Sequence, residues 1–391
     1  MLNRSMYALG SCRSCIRELF EYGQARRAAG ERVFDFSLGN PSVPAPEEVR
    51  SAISGLLETE PALRLHGYTS APGDAAARAA VAADLNRRFD AGVGAGDLFL
   101  GCGAAPELCS VIRALAVEGA EFVTPAPFFP EYRVFVESAG AALTVVPPSL
   151  PDFRLDPEAI ARSITPNTQA VILNSPNNPT GVVYTAGELR RLAEVLTEQA
   201  RRFGHPVYLI SDEPYRELCY GGVTAPWIPA LYPDTVVCYS WSKSLSLPGE
   251  RIGYVCVPPK AADHDALLSA VAGAARSIGH VCAPSLMQQV IARCAGVRPD
   301  LGAYDRRRRL LADGLRELGY EMARPDGAFY LFVRAPGGDS EAFSARAKQK
   351  NLLVVPGTDF GCRSCFRLCY CVEEQTIRES LPIFRELLET E

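Results

Sequence analysis

Lysine is scarce in this chain of 391 residues: among 40 basic side chains, only Lys243, Lys260, Lys348 and Lys350 are lysines. Chemistry that needs an amine therefore has four candidates. Lys260 follows a Pro-Pro turn, and Lys348 and Lys350 fall on a predicted surface helix, whereas Lys243 directly follows a buried-strand pattern over 235–239, in the setting Ser240-Trp241-Ser242-Lys243. Two more apolar runs end in equally polar stretches. Residues 170–173 lead into Asn174-Ser-Pro-Asn-Asn178-Pro-Thr-Gly181, and residues 207–210 into Ser211-Asp212-Glu-Pro-Tyr215, while Arg251 lies eight residues beyond Lys243. Singly, each has a plain reading: the Asn-Pro-Thr-Gly stretch makes a turn, and Asp212 caps a helix. Together they are an amine, a carboxylate, a phenol, an amide and a guanidinium, all placed just after strands. In open parallel sheets, ligands sit beyond the carboxyl ends of the strands.

The elements needed to position them are legible in the apolar spacing. A helix starts at Glu47, with Val49, Ile53 and Leu56 on one face. Strands over 98–100, 120–123, 170–173, 207–210, 235–239 and 252–257 alternate with helices over 106–117, 132–139 and 186–202, which predicts βα units and a largely parallel sheet. After the first strand, Gly101-Cys-Gly103-Ala104-Ala105-Pro106 opens a helix, so the amides of Gly103, Ala104 and Ala105 can face an anion. From about residue 300 the character changes: helix 305–318, strand 328–333, helix 340–349, strands 352–355 and 366–371, and a helix from Glu373 predict a smaller α+β unit.

With Leu38-Gly39-Asn-Pro41 near one end and Phe366-Arg367-Leu368 near the other, the chain resembles the pyridoxal-phosphate (PLP) aminotransferases of fold type I, the aspartate aminotransferase family of class I and II, over nearly its whole length. The resemblance implies an α/β fold with a mostly parallel central sheet flanked by helices: a large cofactor domain over 45–290, and a small domain from 1–44 and 291–391. It implies that Lys243 holds pyridoxal 5'-phosphate as an internal Schiff base and moves the substrate proton. Asp212 then pairs with the pyridine nitrogen, Asn178 and Tyr215 serve the ring's phenolic oxygen, and Phe129 stacks on the ring. Gly103, Ala104, Ala105, Ser240, Ser242 and Arg251 cradle the phosphate. Arg367, Gly39 and Asn178 take the substrate carboxylate. Tyr68 reaches the cofactor of a partner subunit, which implies a homodimer with a shared active site.

The implied reaction is ping-pong transfer of an amino group between an L-amino acid and a 2-oxo acid. A C–S β-lyase on the same cofactor is the alternative within the fold, and a cofactor-sensing regulator the alternative outside it. Position 105 carries alanine where many relatives carry Ser, Thr or Lys, which removes a hydroxyl for phosphate and an amine for a distal carboxylate, and argues against aspartate as the preferred donor.

Composition excludes other classes. A 48% hydrophobic content is enough for large cores, and a formal charge of −5 without a basic tract argues against nucleic acid. Neither a secretory leader nor an apolar run long enough for a membrane span is visible, so a cytoplasmic protein is expected. Thirteen cysteines are then expected as thiols. The tetrapeptide CRSC occurs at Cys12 to Cys15 and again at Cys362 to Cys365, with Cys369 and Cys371 following. A thiolate zinc site is the sharp reading and small buried side chains the plain one, which the strand-like FRLCYC supports.

Overall fold

The computed structural model of the chain describes residues 2–11 and 14–389; Cys12 lies outside them. Its strands, in chain order, are β1 (Phe34–Asp35), β2 (Leu98–Gly101), β3 (Glu121–Pro125), β4 (Ala142–Val146), β5 (Thr168–Asn174), β6 (Tyr208–Asp212), β7 (Thr235–Ser240), β8 (Gly253–Cys256), β9 (Tyr330–Arg334), β10 (Leu352–Leu353), β11 (Val355–Pro356) and β12 (Cys365–Cys369).

A seven-stranded sheet has the order β2-β8-β7-β6-β5-β3-β4. Neighbours from β7 to β4 run parallel, and β8 is antiparallel to both of its partners. The link from Ser240 to Gly253 contains only the one-turn helix Trp241–Ser244, so the chain doubles back instead of making the helical crossover that parallel pairing requires.

The central strands are apolar on both faces because both faces are covered. Along β7, Val236 and Cys238 pack with helices Ala104–Leu115 and His264–Ser277, while Val237 and Tyr239 pack with Ala75–Phe89 and Ser285–Cys294. Successive side chains of a strand point to opposite faces, so an unbroken apolar run feeds two cores at once.

The second unit brings β9, β12 and β11 into an antiparallel sheet, and pairs β10 with β1 in parallel. Its core is aromatic: Phe343 and Phe366 stack at 4.4 Å, and Tyr320 meets Phe384 edge to face. Helices Leu301–Glu317 and Glu374–Glu389 pack on one another.

Several boundaries differ from expectation. The helix predicted over 106–117 starts at Ala104, with Pro106 inside the first turn, where no acceptor awaits its missing N–H. The single strand predicted over 352–355 is two short strands in different sheets, divided at Val354. Helix Ala75–Phe89 and strand Ala142–Val146 are additions that the apolar pattern did not disclose. Cys362 and Cys365 lie buried in a hydrophobic cluster, as the plain reading has it. Among the described residues, no helix is long and apolar enough to cross a membrane.

Candidate active site

Asn174, Asp212 and Ser240 are the last residues of β5, β6 and β7. The first two sit opposite one another in the ladder, so the loops beyond them deliver Asn178, Tyr215 and Lys243 to one place. Strands β12 and β9 bring Arg367 and Tyr330 from the other side. The result is a cavity of 310 Å³ lined by Gly39, Ala104, Ala105, Phe129, Asn178, Asp212, Tyr215, Ser240, Ser242, Lys243, Arg251 and Arg367. Gly103, next to Ala104 in the chain, is not among its lining residues. Tyr68 lies outside it, 95% exposed.

Asp212 is buried and asymmetric. Its Oδ2 accepts a 2.5 Å hydrogen bond from the Tyr132 hydroxyl, whereas Oδ1 has no partner within the protein. Burial pushes its carboxyl up to about 7, the Tyr132 bond pulls it back, and Glu213 adds to the rise. A bare, buried carboxylate oxygen on a cavity wall favours a cationic N–H opposite it, which a protonated pyridine ring presents. The donor set thus fits pyridoxal phosphate on a feature of this chain itself.

The neighbouring amides are held in place. Asn174 donates from Nδ2 to the Asp212 carbonyl (2.8 Å) and accepts the Asn178 backbone N–H on Oδ1 (2.6 Å). Asn178 in turn accepts Arg367 Nη1 at 3.1 Å, which leaves its own Nδ2 free to donate. Arg367 also bonds the Ser37 carbonyl through Nη2 (2.7 Å), while its buried Nε has no partner. Its guanidinium lies 4.7 Å from the Tyr330 ring and 5.0 Å from the Phe360 ring. Such a stacked, pinned arginine suits bidentate capture of a carboxylate.

Lys243 Nζ donates to the Gly39 carbonyl at 2.8 Å. Desolvation lowers the pKa of its amine; the nearby Cys371 and Cys369 oppose this, and Arg251 and Arg367 reinforce it. The Tyr215 hydroxyl lies 3.0 Å from that of Tyr330. With Tyr330 donating, this bond counters the upward push of burial on Tyr215. A side chain at position 39 would overlap the Tyr330 hydroxyl, so only glycine fits there.

At the far end, helix Ala104–Leu115 has no side-chain N-cap bond, so its first amides await an anion. Gly103 adopts φ +97°, and a Cβ on it would come within 2.8 Å of Arg251 Nη2. Arg251 itself sits at φ 52°, a left-handed strain for a residue with a side chain.

Three residues of the site escape the motif reading. Tyr132 is one helical turn beyond Phe129, with the two rings edge to face at 5.7 Å. Tyr330 lies in a buried strand and has the look of ordinary core in sequence, while Asn174 opens the polar stretch after the apolar run 170–173 but has no role assigned there.

Residues 31–382 match the family model for aminotransferase class I and II. The chain belongs to this family. A probable aspartate/prephenate aminotransferase of Thermus aquaticus is 32% identical, with 93% of each chain covered. The solved structure of an amino transferase from Eubacterium rectale superposes with a TM-score of 0.98 at 47% identity, covering 100% of this chain and 99% of that one. Aspartate aminotransferase from Thermus thermophilus with maleate gives 0.87 at 28% identity, over 99% of this chain and all (100%) of that one. The sheet and its flanking helices are thus those of the fold type I PLP-dependent aminotransferases.

Proposed function

We propose that the chain is a pyridoxal-phosphate-dependent aminotransferase that moves an amino group from an L-amino acid to a 2-oxo acid in two half-reactions at one site. The observation that carries the reading is the unpartnered Asp212 oxygen, facing the same cavity as a desolvated Lys243. Bound there, the cofactor supplies an electron sink for the pair left when the substrate's α-proton departs.

The chain's own groups supply the rest. Asp212, steadied by Tyr132, keeps a proton on the ring nitrogen. Asn178 and Tyr215 donate to the ring's phenolic oxygen, and Phe129 covers one ring face. Arg251, Ser240, Ser242 and the amides of Gly103, Ala104 and Ala105 hold the phosphate. Arg367, with Gly39 and Asn178, grips the α-carboxylate and fixes which bond at the α-carbon faces Lys243. The Lys243 amine, its pKa lowered by desolvation, holds the cofactor between turnovers and carries the proton at the α-carbon.

Relatives named for aspartate and prephenate make those the first substrates to test, although Ala105 offers no charge to a distal carboxylate. Tyr68, exposed and outside its own cavity, is assigned to the site of a second copy in a homodimer, working in the amino-acid metabolism of the cytoplasm.

Lys243→Ala should abolish the pH-dependent shift of the bound cofactor's absorbance and lower transamination by roughly 100- to 10,000-fold. An unchanged absorbance titration in that variant would remove the basis of the reading, and release of pyruvate and ammonia from cysteine conjugates without an acceptor would replace it with elimination.

A further inference from the structure

The turn Cys362-Arg363-Ser364-Cys365 has no part in the chemistry above, yet it is built as a pair. Both cysteines are buried, 3% and 4% exposed, and the Cys365 N–H donates to the Cys362 carbonyl at 3.3 Å. Their sulfurs lie 3.6 and 3.9 Å from one hydroxyl, that of Ser364. The two thiols act on each other unequally: Cys365 draws the Cys362 thiol below its ordinary range, with Ser364 helping, while Cys362 and burial drive the Cys365 thiol up. Of the two, Cys362 is the sulfur drawn toward its thiolate and Cys365 the one that keeps its proton, the division of roles that a dithiol pair needs.

The turn is also connected to the cavity in both directions. Just before it, the Phe360 carbonyl accepts the Phe128 N–H at 3.1 Å, and Phe128 adjoins Phe129. Just after it, Cys365 opens β12, which presents Arg367 two residues on. Arg363 is anchored to Asp339 at 2.7 Å, so the middle of the turn is held while its two ends face each other.

We propose that Cys362 and Cys365 form an oxidisable dithiol site that a small peroxide converts to a disulfide, and that closing the bridge shifts the start of β12 and loosens the hold of Arg367 on the substrate carboxylate. The Cys362 thiolate attacks one oxygen of hydrogen peroxide; the O–O bond breaks, hydroxide leaves, and the sulfur becomes a sulfenic acid. The Cys365 thiol then attacks that sulfur, the S–O bond breaks, and the hydroxyl departs as water with the Cys365 proton. Two thiols are oxidised by two electrons, and one peroxide is reduced to two waters once the hydroxide is protonated. A disulfide needs its sulfurs about 2.05 Å apart, closer than two free thiols can approach, so the turn must contract. Thiols this buried suit a small oxidant and exclude a bulky disulfide.

The bridge itself is independent of the proposed function; its effect at Arg367 rests on that reading. Holoenzyme treated with peroxide, blocked with an alkylating agent and digested should yield the peptide holding both cysteines two hydrogens lighter and unalkylated, restored by a dithiol reductant. In Cys365→Ser, a sulfenic acid trapped at Cys362 by a dione probe should replace the bridge. The oxidised enzyme should show a severalfold higher KM for every amino donor with kcat little changed, and Cys362→Ala should make KM insensitive to peroxide. Free, alkylated Cys362 and Cys365 after a treatment that oxidises other cysteines would overturn the site. A mapped bridge with unchanged KM would overturn its coupling to Arg367. If no donor is turned over at all, the functional reading falls, and the peptide map still decides the site.

Discussion

Asp212 gives one oxygen to Tyr132 and leaves the other bare, and this asymmetry sets what substitution at Tyr132 does. Tyr132→Phe removes the one bond that offsets burial, so the carboxyl should rise further and hold the ring nitrogen's proton less well. A hydrogen bond to a charged group is worth about 1.5 to 3 kcal/mol, and cofactor affinity measured by dialysis should fall by roughly tenfold to a hundredfold. Tyr330→Phe tests a different link. If the Tyr330 hydroxyl orients the Tyr215 proton toward the cavity, the variant should lower kcat and move the pH midpoint of the cofactor absorbance, with KM nearly unchanged; a rise in KM alone would place its effect at Arg367 instead. Arg367→Ala should raise KM for all donors alike, since the α-carboxylate is common to them. Lys243 and Asp212 are legible in sequence because polar residues stand out at the end of apolar runs, whereas Arg367, in the middle of β12, is legible only through the family resemblance. Tyr132 and Tyr330 are not, because a tyrosine within an apolar pattern reads as core, and only the packing of β9 over the loop after β6 gives Tyr330 its partner.

Among the elements, helix Ala104–Leu115 does two jobs, presenting its amides to the cavity and burying Leu108, Val111 and Ile112 against the sheet. Glu107 lies on the buried side, with neither carboxylate oxygen hydrogen-bonded, close to an equally unpartnered His280. Burial holds its carboxyl well above the usual range, against the pull of Gly103 and Arg251. The unfolded chain ionises this group near about pH 4.3, while the folded chain keeps the proton, so its contribution to stability declines as pH rises from there toward the folded value. Glu107→Gln removes that decline, and its Tm relative to the parent holoenzyme should increase between about pH 5 and about pH 8; a constant difference would mean that Glu107 is ionised in the fold. Strands β5, β6 and β7 are legible because both faces are buried, which leaves unbroken apolar runs. Ala75–Phe89 is not, because its many alanines carry little apolar contrast, and residues 352–355 mislead because one extended stretch serves two sheets.

At the scale of the whole molecule, the proposed homodimer assigns Tyr68 of one copy to the cavity of the other. Leu38, on the cavity rim, and Tyr68 are both exposed, as befits a surface closed by a second copy. Lys243→Ala and Tyr68→Ala, each weak alone, should regain activity when mixed under conditions of subunit exchange, because one site of each hybrid then carries neither lesion. Simple addition of the two residual rates would assign Tyr68 to its own chain.

The same distribution of amines bears on how the protein can be handled. Lys243 is sheltered in the cavity and held by the Gly39 carbonyl, Lys350 is paired with Glu386, and Lys348 lies over the Tyr22 ring at 4.5 Å. Of the four lysines, Lys260 is exposed and the other three are half-buried. Activated-ester labelling should therefore modify Lys260 in preference to the other lysines and leave the cavity untouched, which peptide mapping of the labelled enzyme checks.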